Sequence, residues 1–366
     1  MKLKQINSSG LTWLEIIVVL SCVFIMLGLL LPAIQATKHG AHQFDCSNNL
    51  KHIGLAIHNY HSVHRQLPPA MFGTEVNGRR LSGLVALLPF LEEQTKWEAI
   101  SNPNRFDGND FPAWGPVPTN EDYPPWSEPV SVFRCYWDEA SAETLARTNY
   151  VFCVGDQTQR LYDADSLESV RGMFSPSQVT SFDDVIDGLT NTVAMTEVAT
   201  AQHRVSMGQY VVKSAAQTST SPEACWLTVG GRVDGKLSPK ERGKPRLYLD
   251  AYQLSRLGRG GAWADGSGGS GLANLILPPN SPSCASNEIP PWEGVFSAGS
   301  RHQGGCHVLM GDGAVKFIAE FIESGNGQAT PPIRMRDDTD VLVRSPYGLW
   351  GALGTRASEE QLREDL

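Results

Sequence analysis

The sequence predicts an α+β protein: a long N-terminal transmembrane helix packed on a large β-rich globular domain with long loops. Three observations carry this expectation. Residues 16–34, IIVVLSCVFIMLGLLLPAI, are 19 consecutive positions without a charge. Helical spacing of apolar residues then continues to about His64, and farther along the chain apolar residues are arranged around Asp-Gly and Gly-Asp-Gly turns.

The uncharged run gives roughly 28 Å of helix at about 1.5 Å per residue, enough to cross a bilayer core, and a span of about 14–34 is expected. Lys2 and Lys4 precede it. The positive-inside rule then places the N-terminus in the cytoplasm and everything after Gln35 on the other side of the membrane. A cleaved secretory signal fits poorly, because Ile34-Gln35-Ala36 is a weak small-x-small site. A plain signal anchor leaves Glu15 unexplained, since an acidic residue deep in a bilayer costs about 2.5–3.5 kcal/mol. Beyond the apolar run, Leu50, Ile53, Ile57 and Tyr60 or His61 follow i, i+3, i+7 and i+10 or i+11 spacing, with no proline between Pro32 and Pro68. One helix over 11–64 is expected, with one stripe of its second half packed on the following domain.

In that domain, GCHVLMGDGAVKFI (305–318) reads as two short strands joined by a tight turn. SFDDVIDGLTNTVAMTEV (181–198) reads as an Asp-Gly turn before a Thr/Val-rich strand ending at Glu197. Stretches 101–130 and 258–294, rich in Pro, Gly, Asn and Trp, are expected as long ordered loops. Within the second, GSGGSG (266–271) lacks the Lys-Ser/Thr of a phosphate loop and is expected as a flexible loop. From about 324 the patterning fades, and SEEQLREDL is expected as a short exposed helix or a disordered end.

With 366 residues, 41% apolar and 19% charged, 35 Gly and 23 Pro, the chain is globular and loop-rich. Thirty Lys+Arg against 39 Asp+Glu give −9, which excludes the basic footprint of a nucleic-acid binder. Seven cysteines occur without a CxxC pair, so no structural zinc site is expected. Cys22 lies in the apolar segment, and the other six are available for disulfides outside the cytoplasm, their pairing open.

The start of the chain, a short basic leader ending at Gly10, then Leu11, then Glu15, then about 20 apolar residues, resembles the class III signal of bacterial type IV prepilins and type II secretion pseudopilins. The resemblance implies a leader over 1–10, cut by prepilin peptidase between Gly10 and Leu11, with methylation of the new amine. Leu11 stands where that family usually has Phe, and Pro32 where pilin helices often kink. Glu15 would be the fifth mature residue, its carboxylate paired with a neighbouring subunit's N-terminal ammonium, so that two groups too costly to bury alone neutralise each other.

CSNNLKHIGLAIHNYH (46–61), TNYVFCVGD (148–156), DGLTNTVAMTE (187–197), GAWADG (261–266), LPPNSPSC (277–284) and FSAGSRHQGGCHVLMGDGAVKFI (296–318) are similar to successive blocks of a large, poorly characterised pseudopilin-like family. The last contains that family's C-terminal motif, His302, nine residues, then Asp312-Gly313. CYWDEA (135–140) stands where the family usually has Cys-Pro-Ser-Asp. The resemblance implies a single-pass inner-membrane protein of a pilus-like or type II secretion-like assembly, with a periplasmic or otherwise extracytoplasmic domain over 65–323, an extension over 324–366, and no cofactor. Its expected partners are prepilin peptidase, pilin-like subunits or copies of itself, and the membrane.

His302 and Asp312 with Ser297, Ser300 or Cys306 would supply the parts of a hydrolase. No GxSxG elbow occurs, and an Asp between glycines serves the turn, so no catalytic residue is expected. The His302 ring is expected to bond a backbone carbonyl or a buried carboxylate. Asp183, Asp184, Asp187 and Asp312 are candidate calcium ligands in turns, without a DxDxDG run. Six of nine histidines lie between His39 and His64, and His58, His61 and His64 partly share a face, for which a solvated or core-edge role is expected over a metal cluster. The alternative function is a membrane-anchored extracytoplasmic binding module that uses the pilin-type signal only for export and anchoring and grips a glycan or peptide through Trp114, Trp126, Trp137, Trp263 and Trp292.

Overall fold

The computed structural model describes residues 13–138, 144–162, 166–212, 220–230, 246–285, 290, 292–337, 339 and 341–360, with backbone alone at 29–42, 232–233 and 236–237. The chain divides into two compact units, Met1–Asp45 and Cys46–Leu366.

The described part of the first unit is the front of a helix that runs Trp13–His64, with Glu15 in its first turn. Its side chains are exposed and apolar, Trp13 at 82% and Phe24 at 72% among them. The transmembrane expectation is corrected here. Among the described residues no helix is long and apolar enough to cross a membrane. The single-pass inner-membrane placement, with its cytoplasmic N-terminus and extracytoplasmic domain, falls with that span.

The β-rich expectation is corrected too. The body has mixed α/β content, with strands of two to six residues among short helical turns and long irregular runs. Its centre is a five-stranded sheet in the order Leu272–Ala273, Tyr150–Cys153, Val193–Glu197, Gly305–Met310, Val315–Ala319. The first pair is parallel and the others antiparallel. The hairpin read from the sequence is present: Gly313 takes φ +89°, a left-handed conformation open to glycine, and Asp312 Oδ1 accepts the Ala314 N–H at 2.9 Å.

Every residue of Gly305–Met310 is buried, as expected of a strand covered on both faces. On one face Leu309 and Met195 join Leu50, Ile53, Ala56 and Ile57 of the helix in one core, so the predicted helical stripe does pack inward. A Cβ on Gly54 would lie 2.9 Å from Leu309, so glycine brings the helix close to the sheet. On the other face Cys306, Val308 and Met310 pack with Trp350 and Leu353, residues from the unpatterned stretch after 324. Trp350 Nε1 donates to the Leu277 carbonyl at 2.8 Å.

The GSGGSG stretch is not a surface loop. Gly268–Gly271 form a buried helical turn, and the Arg259 guanidinium donates to the carbonyls of Gly268 and Gly269 at 2.8 Å and of Leu272 at 2.6 Å. Burial lowers the Arg259 pKa to about 10, still cationic at neutral pH.

At the C-terminal end of the described chain, one Glu360 oxygen accepts the Ser345 N–H, and the other is buried without a partner among the described residues. Burial, with Asp156 and Asp187 nearby, pushes this carboxyl up to about 7 from 4.5. A carboxyl with a raised folded pKa opposes folding progressively above its unfolded value. Glu360→Gln is therefore expected to be more stable than wild type above pH 7, by about 1–2 kcal/mol after discounting for partial exposure. The gap should close as pH falls to 4.5. Urea denaturation across this range checks it, and a pH-independent gap would refute it.

Candidate functional site

A buried knot of sulfur, imidazole and carboxylate groups sits where the central sheet meets the start of the body. Glu197 ends the Val193–Glu197 strand, a charge closing an apolar run, and is 1% exposed. His307 lies on the neighbouring strand, donates its backbone N–H to Glu197 Oε2 at 2.7 Å, and places Nδ1 3.1 Å from both carboxylate oxygens. His302 comes from the loop before that strand. Its N–H bonds Ser300 Oγ at 3.0 Å, and Ser300 donates to the Gly305 carbonyl at 2.7 Å, which fixes the loop.

The His302 ring faces the carboxylate, as one of the two sequence expectations has it, with Nε2 3.3 Å from Glu197 Oε1. The same Nε2 lies 3.4 Å from Cys135 Sγ. Cys135 is disulfide-bonded to Cys46, in the buried part of the helix. Tyr150 donates its hydroxyl to the Cys46 carbonyl at 3.0 Å, and Asn149 Oδ1 accepts the Cys135 N–H at 3.0 Å. Burial alone would push the Glu197 carboxyl up, but hydrogen bonds from His302 and His307 outweigh it and hold its pKa below the ordinary glutamate value.

Beside the knot, Asp138 takes hydrogen bonds from Asn149 Nδ2 at 2.6 Å and the Thr200 N–H at 2.5 Å, and meets Arg301 at 3.4 Å. Cys135 and Asp138 of the Cys-Tyr-Trp-Asp block at 135–138 both help to hold the loop down. A cavity of about 10 Å³ between Gly208, Arg259, Asn280 and Ser297 has room for about one water molecule.

Asp312 and Gly313 lie at the far end of the hairpin from His302. Six residues of strand separate the ends, roughly 17 Å at about 3.3 Å per step, so His302 and Asp312 do not meet. The candidate serines also donate elsewhere, Ser297 to the Pro282 carbonyl at 3.0 Å and Ser300 to Gly305. Of the four calcium candidates, Asp184 caps a turn through Ser181 at 2.7 and 2.9 Å. Asp187 accepts N–H groups from Ser358 and Glu359 at 2.9 and 2.7 Å, Asp312 serves its own turn, and Asp183 lies near His61.

The helix histidines meet the body at its edge, His58 and His61 both against Phe182. His58 Nε2 is 3.1 Å from the Gly311 carbonyl, His61 packs on Phe182 and His64 on Tyr60. Among the candidate ligand-gripping tryptophans, Trp126 and Trp263 are buried against each other. Trp114 packs on Trp97, and Trp292 on Tyr162, while Trp137 is half-buried. Gly10 and Leu11 lie outside the described residues.

Sequence reading missed Glu197, His307 and the Cys46–Cys135 pair as members of one site. The available signal was Glu197 itself, a lone charge at the end of TVAMT, since a carboxylate in a buried strand needs a partner.

Fold and site together define a disulfide-stapled mixed α/β body carried behind an N-terminal helix. The chain belongs to the family described as protein of unknown function (DUF1559), a domain found in pilin-like proteins, whose sequence profile matches residues 35–325. No curated protein and no solved structure matches it.

Proposed function

We propose that the protein is a non-catalytic subunit of a pilin-like assembly, cut by a prepilin peptidase between Gly10 and Leu11, whose helix front associates with like helices and whose body is displayed. The observation that carries this reading is the exposed apolar surface of the helix front, from Trp13 through Leu27, led by Glu15 in the first turn. Such a surface calls for a partner of the same kind, and the partner in this reading is a pilin-like subunit or a second copy. Glu15 would receive the new α-ammonium of that neighbour.

Burial of Trp126 and Trp263 speaks against the glycan- or peptide-gripping alternative. The serines near His302 that bond backbone carbonyls support a non-enzymatic body.

The test is peptide mass spectrometry of the N-terminus after co-expression of the full chain with a prepilin peptidase. A terminus at Leu11, lost in Gly10→Ala, is the expected result, and Glu15→Ala should be cut yet fail to enter assemblies. An intact Met1 in the wild type, or a cut near Ala36, refutes the reading.

A further inference from the structure

Cys46, Cys135, Glu197 and His302 come from four distant parts of the body. They bring one ligand atom each within 4.8 Å of one another, and all four residues are buried. Two sulfurs, one imidazole nitrogen and one carboxylate oxygen form a donor set suited to four-coordinate zinc. We propose that in the dithiol state this quartet is a binding site for a borderline-soft divalent cation of the zinc class, and that formation of the Cys46–Cys135 disulfide closes it.

The geometry supports the quartet beyond mere proximity. Zinc–ligand bonds of about 2.0–2.3 Å at tetrahedral angles place neighbouring donors about 3.3–3.8 Å apart. His302 Nε2 already stands 3.4 Å from Cys135 Sγ and 3.3 Å from Glu197 Oε1. The same nitrogen therefore faces both donors. His307 grips the carboxylate from behind with its ring and its backbone N–H, the supporting contact that orients ligands in metal sites. Among the described residues no such ligand group surrounds the second disulfide, Cys225–Cys284, where Thr228 Oγ1 lies 3.8 Å from Cys284 Sγ. Among the described residues the quartet is the group with metal-holding spacing.

The two states exclude each other chemically. A dithiol reductant delivers two electrons and two protons to the S–S bond, giving two thiols while the reductant becomes a disulfide. The cation then displaces both thiol protons to the solvent as two metal–sulfur bonds form. Reoxidation by a disulfide-class oxidant removes two electrons from the thiolates, rejoins the sulfurs and releases the cation. In a chain with seven cysteines, zinc held before oxidation would keep Cys46 and Cys135 together and away from the other thiols.

The full chain carrying Cys225→Ser and Cys284→Ser, so that one described disulfide remains, is incubated with zinc in oxidised and dithiol-reduced form, desalted and assayed for metal. One zinc per chain in the reduced form and none in the oxidised form is expected. His307→Gln, reaching the quartet through Glu197, should weaken binding by about 10- to 100-fold. Adding Cys46→Ser and Cys135→Ser should abolish it. Because that variant can fail to fold, cobalt replaces zinc in the reduced parent as a second readout, where thiolate-to-cobalt charge-transfer absorption is expected and should vanish on reoxidation. No zinc in the reduced form, equal zinc in both forms, or a cobalt spectrum without thiolate bands overturns the proposal.

Discussion

Replacing Cys46 and Cys135 together by serine is expected to lower the unfolding free energy by about 4–5 kcal/mol under oxidising conditions. The disulfide closes a loop with a sequence separation of 89, and loop-closure entropy in the unfolded chain scales with that length. The effect is a large fraction of the about 5–15 kcal/mol by which most domains hold together. A second consequence is local: the staple fixes the start of the buried helix, so its loss should expose amides around Asn49 and Leu50 to hydrogen exchange before the sheet opens. Urea denaturation of the double variant checks the first statement, and a loss under about 2 kcal/mol would count against a loop-closure role.

Arg171→Met is expected to cost about 3–5 kcal/mol, the range for removing one member of a buried ion pair. Arg171 and Asp156 are both fully buried and meet at 2.6 and 3.1 Å. The same guanidinium donates to the carbonyls of Arg334 and Val343 at 2.9 and 2.8 Å, so it straps the C-terminal stretch to the body. Methionine removes the partner of a buried carboxylate and the hydrogen bonds that Arg171 gives to two carbonyls. Removing the orphaned charge as well, in Arg171→Met with Asp156→Leu, should recover much of the loss, because an apolar pair of similar volume replaces the ion pair. Limited proteolysis should cut the single variant first near 334–343. A single variant as stable as wild type would refute the strap.

Where sequence and structure agree, a short-range pattern dictated the outcome. Leu50, Ile53 and Ile57 are spaced as one helix face and are buried as one. The Gly-Asp-Gly turn makes its hairpin because Gly313 takes a left-handed backbone and Asp312 bonds the next amide but one. The site was legible only in its His302 corner. Cys46, Cys135, Glu197 and His307 meet through sheet order, which no local spacing encodes.

Glycine runs misled for a related reason. They report what the backbone permits, and the burial of Gly268–Gly271 depends on Arg259 arriving from another turn. Trp350 fills a core face from a stretch with no periodicity, because one large ring does the packing that a stripe would otherwise do. The membrane span was inferred from a run of uncharged residues, whereas among the described residues no helix is long and apolar enough to cross a membrane. The pairing of the six exportable cysteines, open in the sequence, is likewise set by long-range folding, which joins Cys46 to Cys135 and Cys225 to Cys284.

The middle strand of the sheet, Val193–Glu197, has one partner made before it and the other, Gly305–Met310, made more than a hundred residues after it. During synthesis its free edge stands open to water and to other chains until most of the polypeptide has left the ribosome, and pairings of such separation form slowly. Glu197 meets His302 and His307 only at that late stage, and Trp350 closes the opposite face later still. A prematurely terminated chain therefore presents an unpaired edge and a solvated carboxylate where the finished one has a sealed core, which gives quality-control proteases a direct means of telling the two apart.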